Sequence, residues 1–239
     1  MEKALGIFYG IGVGPGDPEL LTVKAARLLE KIDVVFTAAS LKNDYSVAFD
    51  IAKAYIPNTT EVKRLSFQMT SHAARMQAIR ENARKVLQVL RKGENAVFLT
   101  LGDPMTYSTF TYIAKALKEL EPDITIRSIP GITSYQAAAS RLLVPLAEGE
   151  ESLLVVSGAQ GGVALKKTVG KVDNIVMLKT YKHFDHILKT LEELNLVEHT
   201  IGISRCGLDG EEIIHDVSRF NGKHPPYFTL LIIKPEGFD

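Results

Sequence analysis

The reading turns on the stretch Leu99-Thr100-Leu101-Gly102-Asp103-Pro104-Met105-Thr106-Tyr107-Ser108-Thr109-Phe110-Thr111-Tyr112-Ile113-Ala114-Lys115-Ala116-Leu117. It begins at the end of the apolar run Ala96-Val97-Phe98-Leu99, which has the composition of a short buried strand. Gly102-Asp103-Pro104 breaks that run, and Ile113, Leu117 and Leu120 then recur at helical spacing. A parallel strand, a tight glycine turn and a helix place the turn at the carboxyl end of a sheet, where open α/β folds take ligands. Gly102 has no Cβ and lets the main chain approach a ligand closely. Asp103 has two uses open to it: capping the turn, or accepting a hydrogen bond from a ligand hydroxyl or amine.

The same rhythm extends outward. A strand at residues 6–12 runs into Gly12-Val13-Gly14-Pro15-Gly16-Asp17, followed by a helix starting at Pro18 or Thr22. Strands are expected at 32–36, 62–65 and 124–129, and helices at 46–55 and 73–90, the latter amphipathic and ended by Gly93. Pro130-Gly131-Ile132-Thr133-Ser134 closes the fifth strand and leads into an alanine-rich helix. Strands alternating with helices predict a mostly parallel sheet covered on both faces. Right-handed crossovers then bring the three glycine turns to one sheet edge.

Beyond residue 142 the pattern changes. Strands at 152–157, 174–179, 200–204, 212–216 and 227–234 surround a helix at 184–194, with a hairpin expected at Gly207-Leu208-Asp209-Gly210. The fold class is therefore α/β in two domains: an N-terminal parallel α/β domain (1–142) and a smaller C-terminal mixed α+β domain (143–239). A ligand cleft is expected between them.

Lys+Arg and Asp+Glu both number 28 in 239 residues, a balance that argues against a nucleic-acid or membrane-surface protein. Cys206 stands alone, so no intrachain disulfide is expected and a reducing, cytoplasmic setting follows. The start Met1-Glu2-Lys3-Ala4-Leu5-Gly6 lacks the apolar stretch of a signal peptide, and no run reaches membrane-spanning length.

Gly12-x-Gly14-x-Gly16 is not a dinucleotide fingerprint, because Asp17 stands where the third glycine belongs. Asp33 begins the second strand instead of ending it, and no Gly-Lys-Ser/Thr signals a P-loop. A proline-stiffened glycine turn carrying an acid suits a ligand without phosphate, including a cationic one such as the sulfonium S-adenosylmethionine. His183 and His186 stand at i and i+3, but one cysteine and no His-x-x-x-His with a Glu argue against a structural zinc. Gly-x-Ser-x-Gly is absent around Ser157, which sets hydrolase readings aside.

The run Gly12-Val13-Gly14-Pro15-Gly16-Asp17-Pro18-Glu19-Leu20-Leu21-Thr22, with Gly102-Asp103-Pro104 and Pro130-Gly131-Ile132-Thr133-Ser134, resembles the tetrapyrrole (corrin/porphyrin) methylases. Residues 65–70, 98–110 and 134–149 look like the branch that methylates C20 of precorrin-2 or its cobalt form, with Gln68 where that branch usually has Pro. The resemblance implies S-adenosylmethionine as methyl donor, no protein-bound metal, a tetrapyrrole substrate and a homodimer. It implies donor contacts at Pro15, Leu101, Gly102, Asp103, Thr106, Thr133 and Ser134, with Lys179, Cys206 and Thr229 from the second half.

A polycarboxylate substrate needs cations, and Arg64, Arg141 and Arg205 are candidates, as are Arg75, Arg80 and Arg84, whose spacing also fits an exposed helix face. Tyr107 either lines the site or packs; Tyr112 is expected in the core. No catalytic residue is named by the sequence. Alternative readings keep the fold and methylate another corrin position or a diphthine-type target, or make the chain a non-enzymatic adenosyl-ligand sensor.

Overall fold

The computed structural model describes residues 4–39, 46–67 and 71–238; Gln68 and its two successors lie outside them. The chain divides into two units, Met1–Thr133 and Ser134–Asp239, each with its own five-stranded sheet.

In the first unit β1 (Phe8–Gly12), β2 (Val34–Ala39), β3 (Glu61–Ser66), β4 (Ala96–Thr100) and β5 (Ile126–Ile129) lie in the order β3-β2-β4-β1-β5. All pairings are parallel. Parallel neighbours need crossovers, and these contain α1 (Val23–Leu29), α2 (Val47–Ala52), α3 (His72–Leu90) and α4 (Phe110–Leu120). Every residue of β1 and β4 is buried, as in a sheet covered on both faces. Phe8, Phe36 and Phe98 pack with Ile79, Val86 and Leu90 of α3 and Ile113 and Leu117 of α4. Alternation sends Tyr9, Ile11, Val35, Val97 and Leu99 to the opposite face, all buried. Gly10 leaves room for the Phe110 ring, whose Cζ lies 2.5 Å from where a Cβ would stand.

Both helix starts offered after the first glycine turn are used. Asp17 caps a short 3₁₀ turn at Pro18–Leu20 by accepting the Glu19 N–H at 2.8 Å. Thr22 caps α1 by accepting the Ala25 N–H at 3.3 Å. The fifth strand is shorter than expected: Ile124 follows the 121–124 turn into the core, and pairing begins at Ile126.

The second unit orders β6 (Leu153–Ser157), β7 (Asn174–Leu178), β8 (Thr200–Ser204), β9 (Glu212–Ile214) and β10 (Thr229–Ile233) as β6-β7-β10-β8-β9. Strands β6 and β7 are parallel, with α6 (Val163–Thr168) in their crossover; the remaining pairs are antiparallel, including the expected β8–β9 hairpin. One face buries Phe184, Ile187 and Leu191 of α7 (Phe184–Glu193) against Ile175, Met177 and Leu231. The other packs Ala138 of α5 (Ser134–Leu142) with Val176, Ile203 and Ile232. The last strand starts at Thr229, not at 227: the Thr229 hydroxyl turns back to the Pro226 carbonyl at 2.7 Å, and Phe228 meets the neighbouring chain through its carbonyl, which accepts the Arg205 N–H at 2.9 Å. No helix among the described residues is long and apolar enough to cross a membrane.

Candidate functional site: three glycine bends at one sheet edge

Strands β4, β1 and β5 are consecutive in the sheet and parallel, so the loops after Gly12, Thr100 and Ile129 leave from the same edge. There Gly12, Gly102 and Gly131 meet main chain to main chain. A Cβ on Gly12 would lie 2.7 Å from the Gly131 N and Cα, and one on Gly131 would strike the Gly102 carbonyl oxygen. Gly102 and Gly14 form an isolated bridge: the Gly102 N–H donates to the Gly14 carbonyl at 2.8 Å, and the Gly14 N–H to the Gly102 carbonyl at 3.3 Å. Gly102 is glycine for a different reason from Gly131. Its φ is +70°, and where a Cβ would point the nearest atoms are the Ile132 carbonyl oxygen and the Thr133 Cα at 3.9 Å.

Of the two uses open to Asp103, the structure displays the cap. One carboxylate oxygen accepts the Met105 N–H at 2.8 Å and the other the Gly131 N–H at 3.1 Å, tying the second bend to the third. Buried Ser108 then bonds Thr100 at 2.9 Å and accepts the Phe110 N–H at 3.1 Å, which starts α4. Pro15 and Thr133 are buried beside these bends, Leu101 and Thr106 half-buried, and Tyr107 exposed with φ +50°. The edge thus carries two acids, Asp17 and Asp103, beside main chain that is largely bonded to itself. That chemistry repels phosphate and suits a cation.

Ser134 opens α5 in the second unit. Lys179 (φ +59°) follows β7, Arg205 (φ +52°) and Cys206 follow β8, and Thr229 opens β10. The Thr229 hydroxyl donates to the Pro226 carbonyl at 2.7 Å and meets the Ser204 hydroxyl, while the Thr180 hydroxyl donates to the Thr229 carbonyl at 2.9 Å. Lys179, Cys206 and Thr229 therefore share one edge of the second sheet. Tyr107, Lys179 and Arg205 have left-handed backbone, which residues other than glycine rarely adopt.

Burial pushes the Cys206 thiol up to about 11, with the Glu211 carboxylate beside it adding to the shift. Native protein at pH 8 is accordingly expected to alkylate at Cys206 about a hundredfold more slowly than the unfolded chain, measured by mass spectrometry against time. Equal rates in the two states would contradict this burial.

The arginines are dispersed. Arg141 Nε donates to Glu211 at 2.6 Å, and Arg205 Nε to the Asp209 carbonyl at 2.6 Å. The bond from Arg141 holds the Glu211 carboxyl below its usual range. Arg64 lies on edge strand β3, two strands from β4, in a cavity of about 600 Å³ lined also by Lys63, Lys85 and Lys92. Arg80 and Arg84 are exposed on α3, as their spacing predicts. Arg75 lies over the Tyr112 ring, 4.7 Å from its centroid. Tyr112 is not in the core: it is 46% exposed, because α4 turns its apolar stripe of Phe110, Ile113 and Leu117 inward and leaves the intervening position outside. His186 Nδ1 accepts the Gly162 N–H at 3.1 Å. Sequence reasoning passed over one cluster, the rings of Tyr181, His224 and Tyr227, because nothing in spacing links positions so far apart.

A parallel α/β unit with apposed glycine bends, joined to a second unit with a mixed sheet, has the architecture of a ligand-binding α/β enzyme. Residues 8–219 match the model for the tetrapyrrole (corrin/porphyrin) methylases, and the chain belongs to that family. It is 30% identical over 233 residues to the cobalt-precorrin-2 C(20)-methyltransferase of Salmonella typhimurium, covering 97% of both chains. It is 26% identical over 243 residues to the precorrin-2 C(20)-methyltransferase of a Sinorhizobium species, covering 96% of this chain and 95% of that one. Its fold is similar to that of uroporphyrin-III C-methyltransferase from Thermus thermophilus, solved in complex with S-adenosylhomocysteine. The TM-score is 0.69 at 25% identity, over 95% of this chain and 97% of that one.

Proposed function

We propose that this chain transfers a methyl group from S-adenosylmethionine to C20 of precorrin-2 or its cobalt form, in cobalamin biosynthesis. The full-length likeness to C(20)-methyltransferases carries this reading. The donor supplies an activated methyl on a sulfonium. The chain's residues bind and orient it: the bend at Gly102, where even a Cβ would meet nothing nearer than 3.9 Å, lies against it, together with Asp103, Leu101, Thr106, Pro15, Thr133 and Ser134. Lys179, Cys206 and Thr229 are assigned to the same donor on the resemblance.

Methyl transfer from a sulfonium to carbon is an in-line displacement whose leaving group departs neutral. The protein need supply no strong acid and no covalent nucleophile. Positioning alone can be worth effective molarities of about 10⁵ M or more. The burial of Cys206, which keeps its thiol protonated, agrees with a reaction that uses no nucleophilic residue. In this reading no metal is bound by the protein itself; any cobalt arrives within the substrate. The protein acts in the cytoplasm as a homodimer, and the substrate carboxylates are met by basic side chains that include Arg64, Arg141 and Arg205.

Calorimetric titration with S-adenosylmethionine, followed by a mass gain of one methyl on precorrin-2 and on cobalt-factor II run side by side, tests the proposal. Donor binding with transfer to C20 is expected. Binding without transfer to either substrate would favour a sensor, and transfer to another carbon would overturn the C20 assignment.

A further inference from the structure

Tyr227 is 72% exposed, yet its ring is held from two directions. Tyr181 meets it at 5.8 Å between centroids and 65° between planes, and Phe228 at 5.0 Å and 72°. Edge-to-face contacts of this kind fix an aromatic ring while leaving a face free. Tyr181, itself 39% exposed, also meets His224 at 5.5 Å. Pro225 and Pro226 stiffen the segment before Tyr227, and the Thr229 hydroxyl pins the Pro226 carbonyl at 2.7 Å. A large exposed aromatic surface that is already ordered loses little conformational entropy when something stacks on it.

The two segments that carry these rings are basic on balance. Residues 179–186 contain Lys179, Lys182, His183 and His186 against one acid, Asp185, and residues 221–229 contain Lys223 and His224 with no acid. The Thr180 hydroxyl donates to the Thr229 carbonyl at 2.9 Å, so the two segments are fastened together. An exposed ring face on segments rich in Lys and His fits a flat, conjugated ligand with carboxylates around its rim.

We propose that Tyr227, braced by Tyr181 and Phe228, is the face on which the tetrapyrrole macrocycle stacks, with Lys182, Lys223 and His224 placed to meet its peripheral carboxylates. This rests on the tetrapyrrole reading above and deepens it by naming residues that bind the macrocycle. Tyr227 and Tyr181 are positioning residues and take no part in bond making.

The test is equilibrium binding of cobalt-factor II, followed by its absorbance, to the wild-type chain and to Tyr227→Ala and Tyr227→Phe. Donor affinity and molar mass by light scattering are measured on the same samples. The alanine variant is expected to bind the tetrapyrrole about tenfold more weakly, the phenylalanine variant within about twofold of wild type, with donor affinity and mass unchanged. Equal tetrapyrrole affinity in all three proteins overturns the proposal. A change of oligomeric mass in the alanine variant also overturns it, by assigning the ring to a contact between copies of this chain. If the wild-type protein methylates a carbon other than C20 while Tyr227→Ala still loses tetrapyrrole affinity, the C20 reading falls and the stacking face stands.

Discussion

Gly131→Ala is expected to lower stability by about 3 kcal/mol, at the upper end for an overpacked core. For a chain of this size that moves the melting temperature down by roughly 6–12 °C, readable by thermal unfolding. The reason is steric alone. The added Cβ would strike the Gly102 carbonyl oxygen and stand 2.7 Å from the Gly12 Cα and carbonyl carbon. All three atoms are main chain, so no flexible side chain can swing aside. The junction is also pinned by the Gly14–Gly102 bridge, by the Val13 N–H donating to Thr100, and by Asp103 accepting the Gly131 N–H at 3.1 Å. Gly222→Ala serves as the control. It also places a Cβ on a glycine, at φ +70°, but with nothing within 4 Å, so it incurs only the left-handed conformation, about 1–2 kcal/mol. A Gly131→Ala protein that melts no lower than Gly222→Ala would show that the three bends can part freely.

Gly102→Ala separates folding from donor binding. Here the Cβ would enter space where the nearest atoms lie 3.9 Å away, and the conformation at φ +70° costs about 1–2 kcal/mol. The protein is expected to stay folded, melting only a few degrees lower. Its affinity for S-adenosylmethionine is nevertheless expected to fall by more than about tenfold, because the methyl occupies room the donor needs. Calorimetry on the folded variant reads this directly. Wild-type donor affinity in that protein would remove the Gly102 bend from the site. Together the two substitutions distinguish a glycine required for the fold from one required for the ligand.

Much of this was visible in the amino-acid order. The strand, bend and helix around Gly102 were legible because a fully buried strand, a Gly-Asp-Pro break and a 3.6-residue apolar repeat are local signals. The two starts open to the first helix, Pro18 and Thr22, were legible for the same reason: the caps, Asp17 and Thr22, each bond an N–H two or three residues away. The β8–β9 hairpin announced itself through the glycines of its turn.

The errors share one cause: they concern what lies across space. Tyr112 fell outside the core because the facing side of α4, not its own hydrophobicity, decided its exposure. Tyr227 read as the start of a strand, but the paired register begins at Thr229, where β10 lies between β7 and β8. The pairing of Arg141 with Glu211, seventy residues on, is likewise a contact that no local spacing announces.

The order of residues alone settled the alternation of strands and helices and the parallel character of the first sheet, since these follow from periodicity and glycine spacing. Only the tertiary structure decided that Gly12, Gly102 and Gly131 touch, that Asp103 joins two bends, and that Tyr181 braces Tyr227. Those contacts depend on which strands become neighbours. Strand order is settled by the packing of helices on both faces of a sheet, a balance summed over the whole unit that no short stretch of chain carries.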